Sequence, residues 1–352
     1  MTTMPLLEAP AYTEDERSSL VDFLVVLKKE YIRDFFGQVG LPRSGTKEVL
    51  KARLEDALSD GSVSYEQVVD VLDTIVPWGK QHVYLFSGPP GKINDWRDPA
   101  KLQRRLKRHR LDRYYNARLP LILPDALTLS SIEQSNGRLR ITAVQRRDAS
   151  LRDATYDEQR EIEDGVAVSL RAYVHCLTRT LVAFEWDLDA NTAMLQITQL
   201  ERDTLYEEVA SQFLNLVASW LDIEKLFGKV DIRRAIKRLQ ELEGNGQPEA
   251  RSHDIQFRSL RGRRLAAFSP GRHHSVRGEA DIDYAMDRIS KKGVGHQGNF
   301  YWLPKVNPGP IPNPLEDEVH VYIVGNKERV NFPTPNSEDV VRYVLQRVRD
   351  LS

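Results

Sequence analysis

Apolar residues in this 352-residue chain recur at two different periods, helical up to about residue 76 and alternating from about residue 119, so no single repeated unit can account for the fold. In the first region Tyr31, Ile32, Phe35, Phe36 and Val39 fall on one helix face, and Gly40 ends that helix. A second helix follows with Leu50, Leu54, Ala57 and Leu58 inward. A third opens on Ser64 and Gln67 at capping-box spacing and carries Val68, Val69, Leu72, Ile75 and Val76. "HVYLFS" then reads as a strand, broken by Gly88, Pro89, Pro90 and Gly91, and Asp98 with Pro99 starts a basic helix. Beyond Leu119, "RLRITAVQRRD", "GVAVSLRAYVHCLTRTLVAFEWDL" and "AMLQITQLER" are rich in Val, Thr, Tyr and Phe and are separated by "SNG" and "DAN" turns, the pattern of consecutive antiparallel strands.

The expected class is α+β: a small N-terminal helical domain followed by a mostly antiparallel-sheet α/β body. The expected units are a tail (1–17), a helical domain (18–79), a connecting strand and basic helix (80–118), a sheet with covering helices (119–245) and a C-terminal set of strands with a terminal helix (246–352). Residues 205–243 read as two helices hinged near Gly228 that cover one sheet face. The last unit is the expected partner-binding part, and the α/β body as a whole is expected to bind a protein partner or self-associate.

The formal net charge of −1 shows no global bias toward nucleic acid, so local charge has to decide. The single cysteine, Cys176, excludes an internal disulfide framework and a multi-thiolate zinc site and fits a reducing compartment. The N-terminus lacks a secretion signal, and no apolar run approaches the roughly 20 residues of a membrane helix. The expectation is therefore an intracellular protein, cytoplasmic and nucleoid-associated, or nuclear in a eukaryote, with no membrane partner and no cofactor.

"GLPRSGTKEVLKARL" (40–54) has the ingredients of a phosphate-binding loop, but Thr46 separates Gly45 from Lys47, and Glu48 stands where Walker A chemistry needs a hydroxyl. "SGPPGKIND" fails similarly at Ile93. A helix N-terminus preceded by small residues can instead meet the phosphates of a nucleic-acid backbone. Residues 24–58 resemble the SAP motif, a helix-extended loop-helix DNA-binding module, through Leu27-Lys28, Ile32-Arg33, Gly40-Leu41, Ser44-Gly45-Thr46-Lys47, Leu50 and Arg53-Leu54. The resemblance implies duplex phosphate contacts at Ser44, Gly45, Thr46 and Lys47, with Lys51 one turn on and Lys28 and Lys29 beside them. Arg43 joins them on charge alone.

The helix after Pro99 is a second basic surface, with Arg104, Arg105, Lys107 and Arg108, and "FRSLRGRRLAAF" is a third, with Arg261, Arg263 and Arg264. The order of elements, with "SYEQVVDVLDTIVPWGKQHVYLFSGPPG", "SLRAYVHCL" and "DIRRAIKRLQ", resembles in outline the centromere protein N family, which implies a non-enzymatic chromatin or DNA reader whose C-terminal part pairs with another protein.

Two carboxylate series, Glu185, Asp187, Asp189 and Glu279, Asp281, Asp283, each alternate as on a strand face, the arrangement with which a nuclease would hold magnesium or manganese, but no E-x-K follows either. Three readings follow: a non-enzymatic, sequence-tolerant binder of double-stranded DNA, a DNA-targeted metal-dependent nuclease, or a protein-interaction scaffold. The first is the leading expectation, with no catalytic and no metal-binding residue assigned.

Overall fold

The computed structural model describes residues 4–8, 11–91, 93–163, 165–201, 204–259, 261–290, 293–304 and 311–352. Four helices come first: α1 (Glu14–Val26), α2 (Lys29–Gln38), α3 (Lys47–Ser59) and α4 (Tyr65–Ile75). Their caps are those the sequence announces, with Ser64 and Gln67 bonded reciprocally at α4 and Thr46 accepting from the Val49 N–H at α3. Leu24, Ile32, Phe35, Phe36, Leu50, Leu54, Val68, Val69 and Leu72 close into one core.

The body follows in chain order as β1 (Gln81–Ser87), α5 (Asn94–Arg97), α6 (Pro99–Arg108), β2 (Thr128–Ser135), β3 (Arg138–Arg152), β4 (Glu158–Glu163), β5 (Val166–Leu170), β6 (Tyr173–Asp187), β7 (Thr192–Thr198) and α7 (Tyr206–Val217). It continues with α8 (Ile223–Leu226), β8 (Gly228–Lys229), α9 (Arg233–Gly244), β9 (Ala250–Ser259), β10 (Arg264–Phe268), α10 (Ala280–Ser290), β11 (Gly293–Trp302), β12 (Val319–Val324), β13 (Arg329–Phe332) and α11 (Glu338–Asp350). Helices thus accompany a large antiparallel sheet, as expected.

That sheet runs β10-β9-β11-β12-β13-β1-β7-β6-β3-β2, with short β8 also on β1, and every pairing is antiparallel. The strand expected to be a connector, β1, lies at its centre between β13 and β7. The sheet therefore crosses the 245/246 boundary without a break. The stretch expected as two hinged helices is α7, α8 and α9, with β8 between the last two.

Alternation along β1 sends its side chains into two different cores. Tyr84 and Phe86 join the core made with α5 to α8 over β2, β3, β6 and β7, whereas Val83 and Leu85 join the core made with α9, α10 and α11 over β9 and β11 to β13. The covering helices thus change sides at β1. In the C-terminal half of the sheet the other side keeps a polar row, His82, Asn331, Tyr322, Asn299 and Asp254, paired strand to strand and ending on the ring of Phe268.

The two edges differ. Residues 116–119 run beside β2, through Asn116 N–H to Ile132 O (2.8 Å) and Leu119 N–H to Ser130 O (2.9 Å), and the Leu7 N–H reaches Arg118 O outside them (2.8 Å). The opposite edge strand, β10, pairs among the described residues only with β9. The distal parts of β3 and β6 project past their other neighbours as a two-stranded arm, Gln145 to Arg152 against Thr180 to Tyr173, with the β4–β5 hairpin between them in sequence.

A buried ion cluster docks the helical domain on the body. Asp73 of α4 has a fully buried side chain that accepts from Arg179 of β6, whose guanidinium also donates to the carbonyls of Leu121 (3.0 Å) and Ile122 (3.2 Å). Arg118 pairs with Asp70 on the same helix. Replacing Asp73 by Ala strands a guanidinium in a dry interface, and urea unfolding should show a loss of about 3–5 kcal/mol.

A second expectation concerns pH. His82, buried and stacked on Tyr206 with ring centroids 3.7 Å apart, is pushed down to about 3 from 6.5, by burial first and then by Arg329. The unfolded chain takes up this proton below pH 6.5 and the folded one only near 3, so stability falls as pH drops through that window, by up to about 1.4 kcal/mol per unit from this group. The His82→Phe variant keeps the stacking and should lose that slope in denaturation series between pH 4 and 6.5.

Candidate nucleic-acid interface

Residues 28–51 form a helix, an extended loop and a helix, with Gly40 (φ +76°) and Gly45 (φ +136°) supplying the left-handed backbone on which the loop turns. The loop is held from below by Arg53, whose guanidinium donates to Pro42 O (2.9 Å) and Ser44 O. Ser44 and Thr46 are exposed, Gly45 is half-buried, and the Arg43 guanidinium lies where a Cβ on Gly37 would sit.

The two lysines expected to reach phosphate have other partners. Lys47 turns back to donate to the carbonyls of Val25 and Leu27, each at 2.7 Å, and so closes the C-terminal end of α1. Lys51 pairs with Asp22 at 2.6 Å and lies 3.9 Å from Glu55. The Glu48 carboxyl, held below its usual range chiefly by its hydrogen bond with Thr46, brings negative charge to the start of α3. Lys28 is exposed and Lys29 half-buried, and neither forms an ion pair among the described residues.

The α6 helix presents a freer cationic surface. Asp98 caps it by accepting from the N–H groups of Ala100 (2.9 Å) and Lys101 (3.2 Å), Pro99 opens it, and Leu102 and Leu106 anchor it in the core. Arg105 is not free: its guanidinium lies 4.0 Å from the Trp96 ring centroid, half-buried, where burial weakens its hold on the proton. Arg104, Lys107 and Arg108 are exposed and have no carboxylate partner among the described residues; the Arg104 Nε–H donates only to Ala100 O, at 3.2 Å. Together they form one cationic face that no carboxylate among the described residues neutralises.

The third surface is the β9–β10 hairpin. Arg261, Arg263 and Arg264 are exposed at its turn, where Gly262 takes φ +80°, and none has a carboxylate partner among the described residues. Arg258, which the sequence reading left out, stands directly opposite Arg264. Counting the hairpin register out from the Gly262 turn would have found it.

The carboxylates are committed elsewhere. Both Glu185 oxygens accept from the Arg342 guanidinium (2.6 and 2.9 Å), and Arg140 adds a third bond at 3.0 Å. Burial alone would raise this carboxyl, but those hydrogen bonds and the charges of Arg140, Arg342 and Arg138 outweigh it and hold the group below its ordinary range. Asp187 accepts from the N–H groups of Asp189 and Ala190, and Asp189 meets Arg97 at 3.1 Å in the following turn. The series 279–283, expected on a strand, lies instead just before and in the first turn of α10, where Asp281 and Asp283 stand about 200° apart rather than on one face. Asp283 there faces Arg277 (3.6 Å).

A cavity of about 450 Å³ between α11 and the sheet is lined by Arg138, Arg342 and Arg349 together with Glu185, Asp187 and Asp339, cations and anions alike. His175 faces Ser150 across the arm, 3.1 Å away, and forms no dyad with Cys176. Compared with models of known protein families and with curated protein sequences, the chain matches none.

These contacts separate lysines that hold the fold from cations that are spare. Lys47→Ala should lower stability by about 1–2 kcal/mol in urea unfolding, because two carbonyls lose their donor. Arg104→Ala, Lys107→Ala and Arg108→Ala combined should stay within about 0.5 kcal/mol of wild type.

Proposed function

We propose that the protein is a non-enzymatic, largely sequence-independent binder of double-stranded DNA that grips backbone phosphates chiefly through α6. The observation that carries this reading is the exposed Arg104, Lys107 and Arg108 face, set on a rigid helix and free of carboxylates among the described residues. Such a surface gains free energy on meeting phosphates through counterion release, and among the described residues it has no ion pair to break first. The SAP-like helix-loop-helix is the second contact, through Lys28, Lys29 and Arg43 and the loop at Ser44, Gly45 and Thr46. Lys47 and Lys51 contribute there only by exchanging partners they already have. The free edge of β10 supports the companion role of the body, pairing with a protein partner or a second copy.

A nuclease reading is less well supported, since both Glu185 oxygens already accept from the Arg140 and Arg342 guanidiniums and Asp187 accepts from the N–H groups of Asp189 and Ala190.

Fluorescence anisotropy of a labelled 30-base-pair duplex tests the proposal. With four to six phosphates neutralised, log K should fall against log salt with a slope of about −4 to −5, and the triple α6 variant should flatten it by roughly 2 to 3 while weakening all sequences alike. Salt-independent binding, or an unchanged slope in the variant, would overturn it.

A further inference from the structure

Side chains on the open side of the C-terminal half-sheet include Arg264, Ala266 and Phe268 of β10 and Arg258, Gln256 and Asp254 of β9, in register. Phe268 is 67% exposed, a large ring left in water on a strand edge. Arg258 and Arg264 are direct cross-strand neighbours. Like charges so placed repel, and no carboxylate among the described residues relieves them. Both also bear on His296, whose proton affinity is lowered by burial first and then by Arg264 and Arg258.

From these features we infer that the open face of the β9–β10 hairpin binds single-stranded nucleic acid, independently of duplex binding by α6. The complementarity is specific. The two guanidiniums, with Arg261 and Arg263 at the turn, meet phosphates, and Phe268 offers a stacking surface to an unpaired base. At about 3.3 Å per residue the ring stands about 13 Å along β10 from Arg264, a span for two or three nucleotides. Gln256 lies between them and can accept from a base amino group, and Asp254 stands opposite the ring, one of its oxygens held by Asn299 (3.0 Å). A duplex hides its base faces from such a ring, whereas a single strand presents them.

The test is anisotropy with the full chain, a labelled 12-nucleotide single strand and a labelled duplex, for wild type, Phe268→Ala, the double change Arg258→Ser and Arg264→Ser, and the triple α6 variant. The side chains changed are exposed, and circular dichroism checks that each variant is folded. Phe268→Ala should weaken the single strand by at least about fivefold and leave the duplex unchanged. The double change should flatten the single-strand salt slope by about 1.4. The α6 variant should keep single-strand binding, so that failure of the duplex reading and failure of this one are told apart. The inference is overturned by no binding of the single strand, by binding indifferent to Phe268, or by equal losses on strand and duplex.

Discussion

The structure depends on β1 being buried on both faces by different helices. Six consecutive residues, Gln81 to Phe86, are buried, with Tyr84 and Phe86 in one core and Val83 and Leu85 in the other. None of these six residues has a solvent side to absorb a change. A one-residue slip would exchange the two sets, placing Tyr84 against α9 and α11 and Val83 against α7, and would unpair β13 and β7 together. The two halves of the sheet are therefore one cooperative unit.

This double burial is also why part of the fold was hard to read in the sequence. The first three apolar stripes, ending at Val39, Leu58 and Val76, follow a 3.6-residue period and became α2, α3 and α4 with their caps in place. The long strands β3, β6 and β7 were legible from β-branched and aromatic density. "HVYLFS" was legible as a strand but not as the central one, since a run buried on both sides carries no alternation to show which neighbours it has. "GEADIDY" misled because alternating acids mimic a strand face, while Ala280, Tyr284 and Met286 belong to a helix.

The candidate site was partly legible for a related reason. Charge density along the chain located α6 and the β9–β10 hairpin, but it says nothing about partners distant in sequence. Lys47 meets carbonyls more than 20 positions upstream at Val25, and Lys51 meets Asp22. In the helical domain Lys47 and Lys51 are committed within the fold, while Lys28 and Lys29 form no ion pair among the described residues. On α6 the cations outnumber the anions within reach, and some had to stay unpaired. Pairing within the fold, more than the density of positive charge, separates α6 from the loop at Ser44.

The unequal edges of the main sheet bear on how large an assembly it can join. At β2 the main-chain groups are taken up by residues 116–119 and, beyond them, by the N-terminal segment at Leu7, while β10 leaves its outer row open. A sheet open at both ends can propagate indefinitely, each added strand exposing the next. One closed at β2 can be extended once, from β10, and an edge-to-edge union of two copies has no further end to offer. The few residues at Pro5 to Leu7 thus leave β10, among the described residues, as the end of the sheet from which such growth would have to start.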